Sequence, residues 1–313
     1  MPIILESTAS VASPTIPGLV TLAQLEQEKA RRCGPYFQAY TDRQIPNTAN
    51  FGYAVVPALR SSIDLDSATN LWVLRRGTNL NGQTVVVDVG DRQRLVSEYD
   101  PSQGRIYVDY PWGAVPLPGE ILEFGHLNPS EELRVAVQAG LRRCFFDDTI
   151  TITPSGSDWW SGVDVTAQAP WLVSPDQIVS VRYGWGYPYL HVPYDAYTVG
   201  GHVIVSGTSL VGYSPSGVYL EAERPAWSHV NGADSTTGPV ADADQLDLDL
   251  DYMASAAHIE AWHHFPSRMQ AAAAGGLQAT QAMAAAEFSR QALIWNPAPP
   301  RSLEFSSPVG IRL

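Results

Sequence analysis

The chain has 313 residues, 45% hydrophobic and 16% charged, long enough to bury a core and too apolar to stay disordered. A formal net charge of −13, from 32 acidic against 19 basic side chains, excludes a free-standing nucleic-acid binder, which needs a basic face to displace counterions from phosphate. No apolar run reaches the ~20 residues that cross a bilayer, and MPIILESTASVASPTIPG lacks the charged start of a signal peptide, so no membrane partner is expected.

Residues 1–20, rich in Pro, Ser and Thr, read as an extended N-terminal arm. A helix follows over about 22–33. Thr21 and Gln24 stand in capping-box spacing before it, Leu22, Leu25, Lys29 and Arg32 recur along it, and Gly34-Pro35 breaks it, although the pattern allows it to resume to 40. Lys29 is the chain's only lysine. From 51 to 124 the pattern changes to short runs rich in Val, Ile, Tyr and Trp: FGYAVV, NLWVLRRG, QTVVVDV, RLVSEYD, RIYVDYPW and EILEFG. The arms RLVSEY and RIYVDY around DPSQG form the clearest predicted hairpin.

The best-signalled helix spans about 129–146. Asn128 is its N-cap, Pro129 suits the first position and Glu131 completes the box. Leu133, Val137, Leu141 and Cys144 or Phe145 then recur at helical spacing, with Arg142 and Arg143 in the last turn. TITITP opens a second strand-rich stretch, through WWSGV, APWLV, IVSVRYGWGYPYLHV, YDAYTV, HVIVSG and VYLEAE. Helices are expected again over about 249–264 and 267–295, and residues 296–313, with PAPP, read as an extended C-terminal arm. The class is therefore α+β. The segments are the arm 1–20, a helix with a small β module at 21–125, a helix with an aromatic-rich β module at 126–230, a helical segment at 231–295 and the arm 296–313.

The stretch QLDLDLDYMASAAHIEAWHH at 245–264 raises the question of a metal site. His258 and His263 are five apart, about 140° on a helix, and the i,i+4 neighbour of His258 is Trp262. The aspartates lack the EF-hand glycine and distal glutamate. The expected reading is structural: Asp247 or Asp249 caps a helix whose apolar stripe is Tyr252, Ala256, Ile259 and Trp262 or His263. No P-loop is present, Gly184-Trp-Gly186 lacks the third glycine of a dinucleotide loop, and GYSPSG at 212–217 does not match a nucleophile elbow. Glu131-Glu132, Asp147-Asp148, Glu221 and Glu223 read as solvated or capping carboxylates. Cys33 and Cys144 are far apart and outside any CxxC, as expected of small apolar residues in a reducing compartment. Trp159, Trp160, Trp171 and Trp185 with Tyr183, Tyr187 and Tyr189 fit a core and a subunit interface, or a sugar-stacking platform. No catalytic, cofactor-binding or metal-ligating residue is assigned.

The segment Arg105–Pro154 runs through a hairpin, a Pro-Gly-Glu turn, a capped helix ending in Arg142-Arg143 and a Thr/Ile strand. It resembles virion proteins of tailed bacteriophages, most nearly head-to-tail connector proteins of the neck, and the Ala-rich helix before NPAPPR at 296–301 is similar in kind. The resemblance implies a structural, non-enzymatic virion component, made in the host cytoplasm. It would form a homo-oligomeric ring between portal and tail, with terminal arms lying on neighbours and genomic DNA passing as cargo past an acidic surface. Small neck adaptors are mostly helical, so the β content also fits a baseplate, tail-tip or fibre-attachment protein. A glycan-binding or glycan-cleaving module using 159–197 is the alternative from a different class.

Overall fold

A computed structural model describes residues 19–33, 36–41, 53–55, 71–100, 102–114, 116–152, 161–183, 190–191, 194–207, 217–274 and 281–295. The protein is α+β. Among the described residues the helices are α1 (Leu22–Arg32), α2 (Arg134–Leu141), α3 (Leu250–His264), α4 (Pro266–Ala274) and α5 (Gln281–Trp295). α1 starts where expected: the Thr21 hydroxyl accepts from Gln24 N, and the Gln24 side chain accepts from Thr21 N at 2.9 Å. α3 starts at Asp249, whose carboxylate accepts from Tyr252 N at 3.0 Å.

These helices form a layer around α3. Every residue of α3 from Tyr252 to Trp262 is buried, so this helix has no wet face. Small side chains make that arrangement possible. Ala254, Ser255, Ala256, Ala257 and Ala261 let neighbours approach closely, and α2 crosses at Gly140, where an added Cβ would lie 2.4 Å from the backbone nitrogen of Ala257. α1 and α5 pack on other sides of α3, and Phe288 of α5 stacks on Tyr252 with centroids 5.9 Å apart. A short antiparallel pair, β1 (Val20–Thr21) with β17 (Gln245–Leu246), ties the start of α1 to the approach of α3.

Two β modules are inserted into this layer. Between α1 and α2 lie β2 (Phe37–Tyr40), β3 (Tyr53–Val55), β4 (Trp72–Asn79), β5 (Gln93–Asp100), β6 (Arg105–Val108) and β7 (Glu120–Gly125), an antiparallel sheet in the order β2-β7-β4-β5-β6-β3. Its core holds Val73, Val96, Ile106, Leu122 and Phe124. β5 and β6 are the expected hairpin, closed through Gly104 at a φ of 63° that a side chain would resist. Between α2 and α3 lie β8 (Phe145–Ile152), β9 (Val163–Asp164), β10 (Ile178–Tyr183), β11 (Leu190–His191), β12 (Tyr194–Val199), β13 (His202–Gly207) and β14 (Val218–Pro225). They form two sheets, β11-β10-β14-β8 and β12-β13-β9, around Ile152, Val165, Leu172, Val205 and Leu220. A hairpin, β15 (His229–Val230) with β16 (Ala233–Asp234), follows.

Several expectations are corrected. The first helix does not resume to 40, because Phe37–Tyr40 is β2, paired with β7. The helix expected over 129–146 is a turn of π-helix, Pro129–Leu133, followed by α2, and it stops at Leu141. Phe145 and Phe146 join β8 instead, because β14 offers an eight-residue ladder from Pro225 to Val218. In the π turn the Asn128 N–H is answered by Glu132 at 2.9 Å, while Glu131 takes the Asn128 side-chain amide at 3.2 Å. The wider turn moves the reciprocal cap one residue along. QTVVVDV holds a bridge between Thr84 and Thr78 and is otherwise irregular until Val89 opens a 3-10 turn, Val89–Asp91, and APWLV forms turns. The span 267–295 is two helices, α4 and α5, with 275–280 outside the described residues. The expected arms lie outside them too, apart from residues 19–20.

Candidate functional site

The Asp/Leu/His stretch resolves into separate roles. Leu246 and Leu248 are buried, Asp247 holds His229 Nε2 at 2.9 Å, and Asp249 caps α3. His263 and His264, at the exposed end of α3, both reach Glu260, at 3.4 Å and 3.2 Å, and Arg143 pairs with the same carboxylate. His258 faces the other way, into the interior. The three histidines are not brought together.

His258 instead completes a buried trio with Lys29 and Cys33. Lys29 and Cys33 are four apart on the inward face of α1, both with no exposed surface, and the Lys29 amine lies against the Cys33 thiol. Its Nζ is 3.2 Å from His258 Nδ1, and Cys33 Sγ is 3.9 Å from the same nitrogen. Burial pulls the Lys29 amine below its ordinary range, against the raising influence of Cys33, and Arg32 adds to the lowering. Burial, with Lys29 and Arg32 adding repulsion, pushes His258 down to about 3. The imidazole is therefore neutral, and with Nδ1 accepting from Lys29 its Nε2–H has no hydrogen-bond partner among the described residues. The sequence pattern placed Lys29 on the apolar stripe of α1, but only the crossing of α3 supplies its histidine.

A larger ionic network joins the helical layer to the first β module. Glu26, 1% exposed, accepts from Arg76 at 2.7 Å and from Arg134 at 2.7 Å. Arg76 also donates to Glu123 at 3.0 Å, and Arg134 to Asp242 at 2.7 Å. Burial works to raise the Asp242 carboxyl, but Arg76 and Arg134 outweigh it and hold it below the usual range. Deeper in the module Arg75 grips Glu120 through two N–H groups, at 2.6 Å and 2.9 Å. In the second module Arg224 ties Asp148 to Asp234, at 2.8 Å and 2.6 Å, with its guanidinium 5.1 Å from the Trp171 ring. Asp147 sits opposite Glu223 across β8 and β14, and burial, then Glu223 and Glu221, push its carboxyl up. Spacing of these residues in sequence carried no sign of such pairings.

The aromatic segment is only partly described. Trp171 is buried and Tyr183 ends β10, whereas Trp159, Trp160, Trp185, Tyr187 and Tyr189, with Gly184, Gly186 and most of GYSPSG, lie outside the described residues. An open cavity of about 540 Å³ lies elsewhere, beside Asp88, Arg94, Tyr110 and Trp112. Its Asp91 carboxylate is already engaged, accepting from Gly113 N, Ala114 N and Arg94. Among the described residues, no group of three or more His, Cys, Asp or Glu side chains is placed to hold a metal ion.

No protein-family model matches the chain. No solved structure matches it either. Over 159 residues it is 28% identical to a UDP-N-acetylmuramoylalanine--D-glutamate ligase of Nitrosomonas eutropha, an alignment covering 46% of this chain. The chain spans 31% of that ligase's length.

Proposed function

We propose that the chain is a structural virion protein, a subunit of a homo-oligomeric ring that joins the portal of a tailed phage to its tail and surrounds the passing genome. The observation that carries this reading is where the structure commits its polar chemistry. The ion pairs of buried Glu26 and Glu123 with Arg76 and Arg134, and of Arg134 with half-buried Asp242, lock the helical layer to the first β module rather than converging on a cleft. Such a body keeps its shape under load, and its outside supplies surfaces for neighbours. α5 exposes Met283, Leu293 and Ile294, and the edge strand β12 exposes Tyr197 and Val199. The net charge of −13 discourages DNA from adhering to a channel wall.

Immunogold labelling of particles, paired with mass spectrometry of their proteins, tests the reading. Label at the head–tail junction is expected. Label at the distal tail would move the protein to the baseplate or fibre attachment, and its absence from purified particles would overturn the virion assignment.

A further inference from the structure

We propose that Lys29 and Cys33 are a covalent modification site, closing a reversible sulfur–nitrogen bond across one turn of α1 when the protein meets a peroxide. The trio has no packing rationale. A lysine buried without a carboxylate is costly, and the nearby buried carboxylate, Glu26, is taken by Arg76 and Arg134. What faces the amine is a thiol in contact with it and the Nδ1 of a neutral imidazole at 3.2 Å.

The chemistry balances with hydrogen peroxide as oxidant. The Cys33 thiol takes one peroxide oxygen and becomes a sulfenic acid, releasing water; sulfur is oxidised by two electrons and the peroxide reduced. The Lys29 nitrogen lone pair then attacks that sulfur. The S–N bond forms, the S–O bond breaks, and the leaving hydroxide takes a proton from the amine and departs as water. Sulfenic acids condense with a neighbouring backbone nitrogen to a sulfenamide, and here the nitrogen in contact with the sulfur is the Lys29 amine. Burial supplies the two remaining conditions. It favours the neutral amine, which is the nucleophile, and it holds that amine against the sulfur, where it intercepts the sulfenic acid before a second peroxide arrives. Peroxide is small enough to enter through local opening near Cys33, which caps the C-terminal end of α1.

The composition of the chain makes the test direct. Lys29 is the only lysine, so a lysine-specific protease cuts the unfolded chain once, and Cys144, buried against Tyr252 rather than Lys29, is an internal control. The full-length protein, treated with hydrogen peroxide and then unfolded in an alkylating agent, is expected to resist that cleavage. It should lose two hydrogens, about 2 Da, lack alkylation at Cys33 and keep it at Cys144. Thiol reductant before alkylation should restore both cleavage and alkylation. Recovery of Cys33 as free thiol, sulfinic or sulfonic acid with Lys29 still cleaved would overturn the proposal, as would a Cys33–Cys144 disulfide, which leaves Lys29 cleavable. Lys29→Arg keeps a cation but cannot close the bond, and its Cys33 is expected to over-oxidise. The wild-type experiment stands alone where that variant does not fold.

Discussion

Arg75 and Glu120 illustrate the energetics of single residues in this protein. Both are essentially removed from water, 2% and 0% exposed, and each satisfies the other's charge. Arg75→Ala leaves a buried carboxylate without its cation, and a loss of about 3–5 kcal/mol in urea unfolding is expected. The double replacement Arg75→Met, Glu120→Leu should recover most of that loss, because a buried pair gains little over well-packed apolar side chains. His258 gives a prediction in pH. Its folded pKa near 3 lies below the ordinary 6.5 because of burial, then of Lys29 and Arg32. The unfolded chain takes up a proton there below pH 6.5 and the folded one does not, so stability is complete above that pH and drains as pH falls toward 3. His258→Gln should flatten the slope between pH 6.5 and about 4, read from unfolding midpoints; an unchanged slope would assign the effect to another group.

At the scale of elements, the crossing of α2 over α3 is the tightest constraint. Gly→Ala in a helix interior normally stabilises by about 1 kcal/mol. Gly140→Ala is expected to do the reverse, costing about 3 kcal/mol or more, because the new methyl meets α3 backbone that cannot move aside. Leu133, 4% exposed at the joint of the π turn and α2, tests the opposite error. Leu133→Ala should cost about 2–5 kcal/mol through the cavity it leaves, and an unchanged melting temperature would contradict its place in the core. The caps of α1 and α3 and the β5–β6 hairpin were legible in the sequence because a cap and a tight loop are decided by residues three to five apart. The end of the 129–146 helix was not, since Phe145 and Phe146 satisfy a helical period equally well until β14 offers them a ladder.

For the whole molecule, the ionic network should decide how the helical layer and the first β module part. Asp242 is held below the usual carboxylate range, so the stability it supplies is present above its unfolded pKa and is lost as pH falls through the lower folded value. In acid, and in Asp242→Asn at neutral pH, faster amide hydrogen exchange is expected first where Arg76 and Arg134 lose that partner, along β4 and the start of α2. Uniform acceleration through the second module as well would argue against such a local seam. The sequence by itself determined the α+β class, the starts of α1 and α3 and the β5–β6 hairpin, because hydrophobic periods, caps and turn residues act over a few positions. Tertiary structure alone decided that α3 is buried on every side from Tyr252 to Trp262, since its stripe of Tyr252, Ala256, Ile259 and Trp262 marks one covered face and nothing local says that the small residues between will be covered too. It also decided the partners of the buried charges. The ion pair of Glu26 and Arg134 and the hydrogen bond of Lys29 and His258 join residues 108 and 229 positions apart, and such a pairing is specified by where the fold brings its members, not by their spacing along the chain.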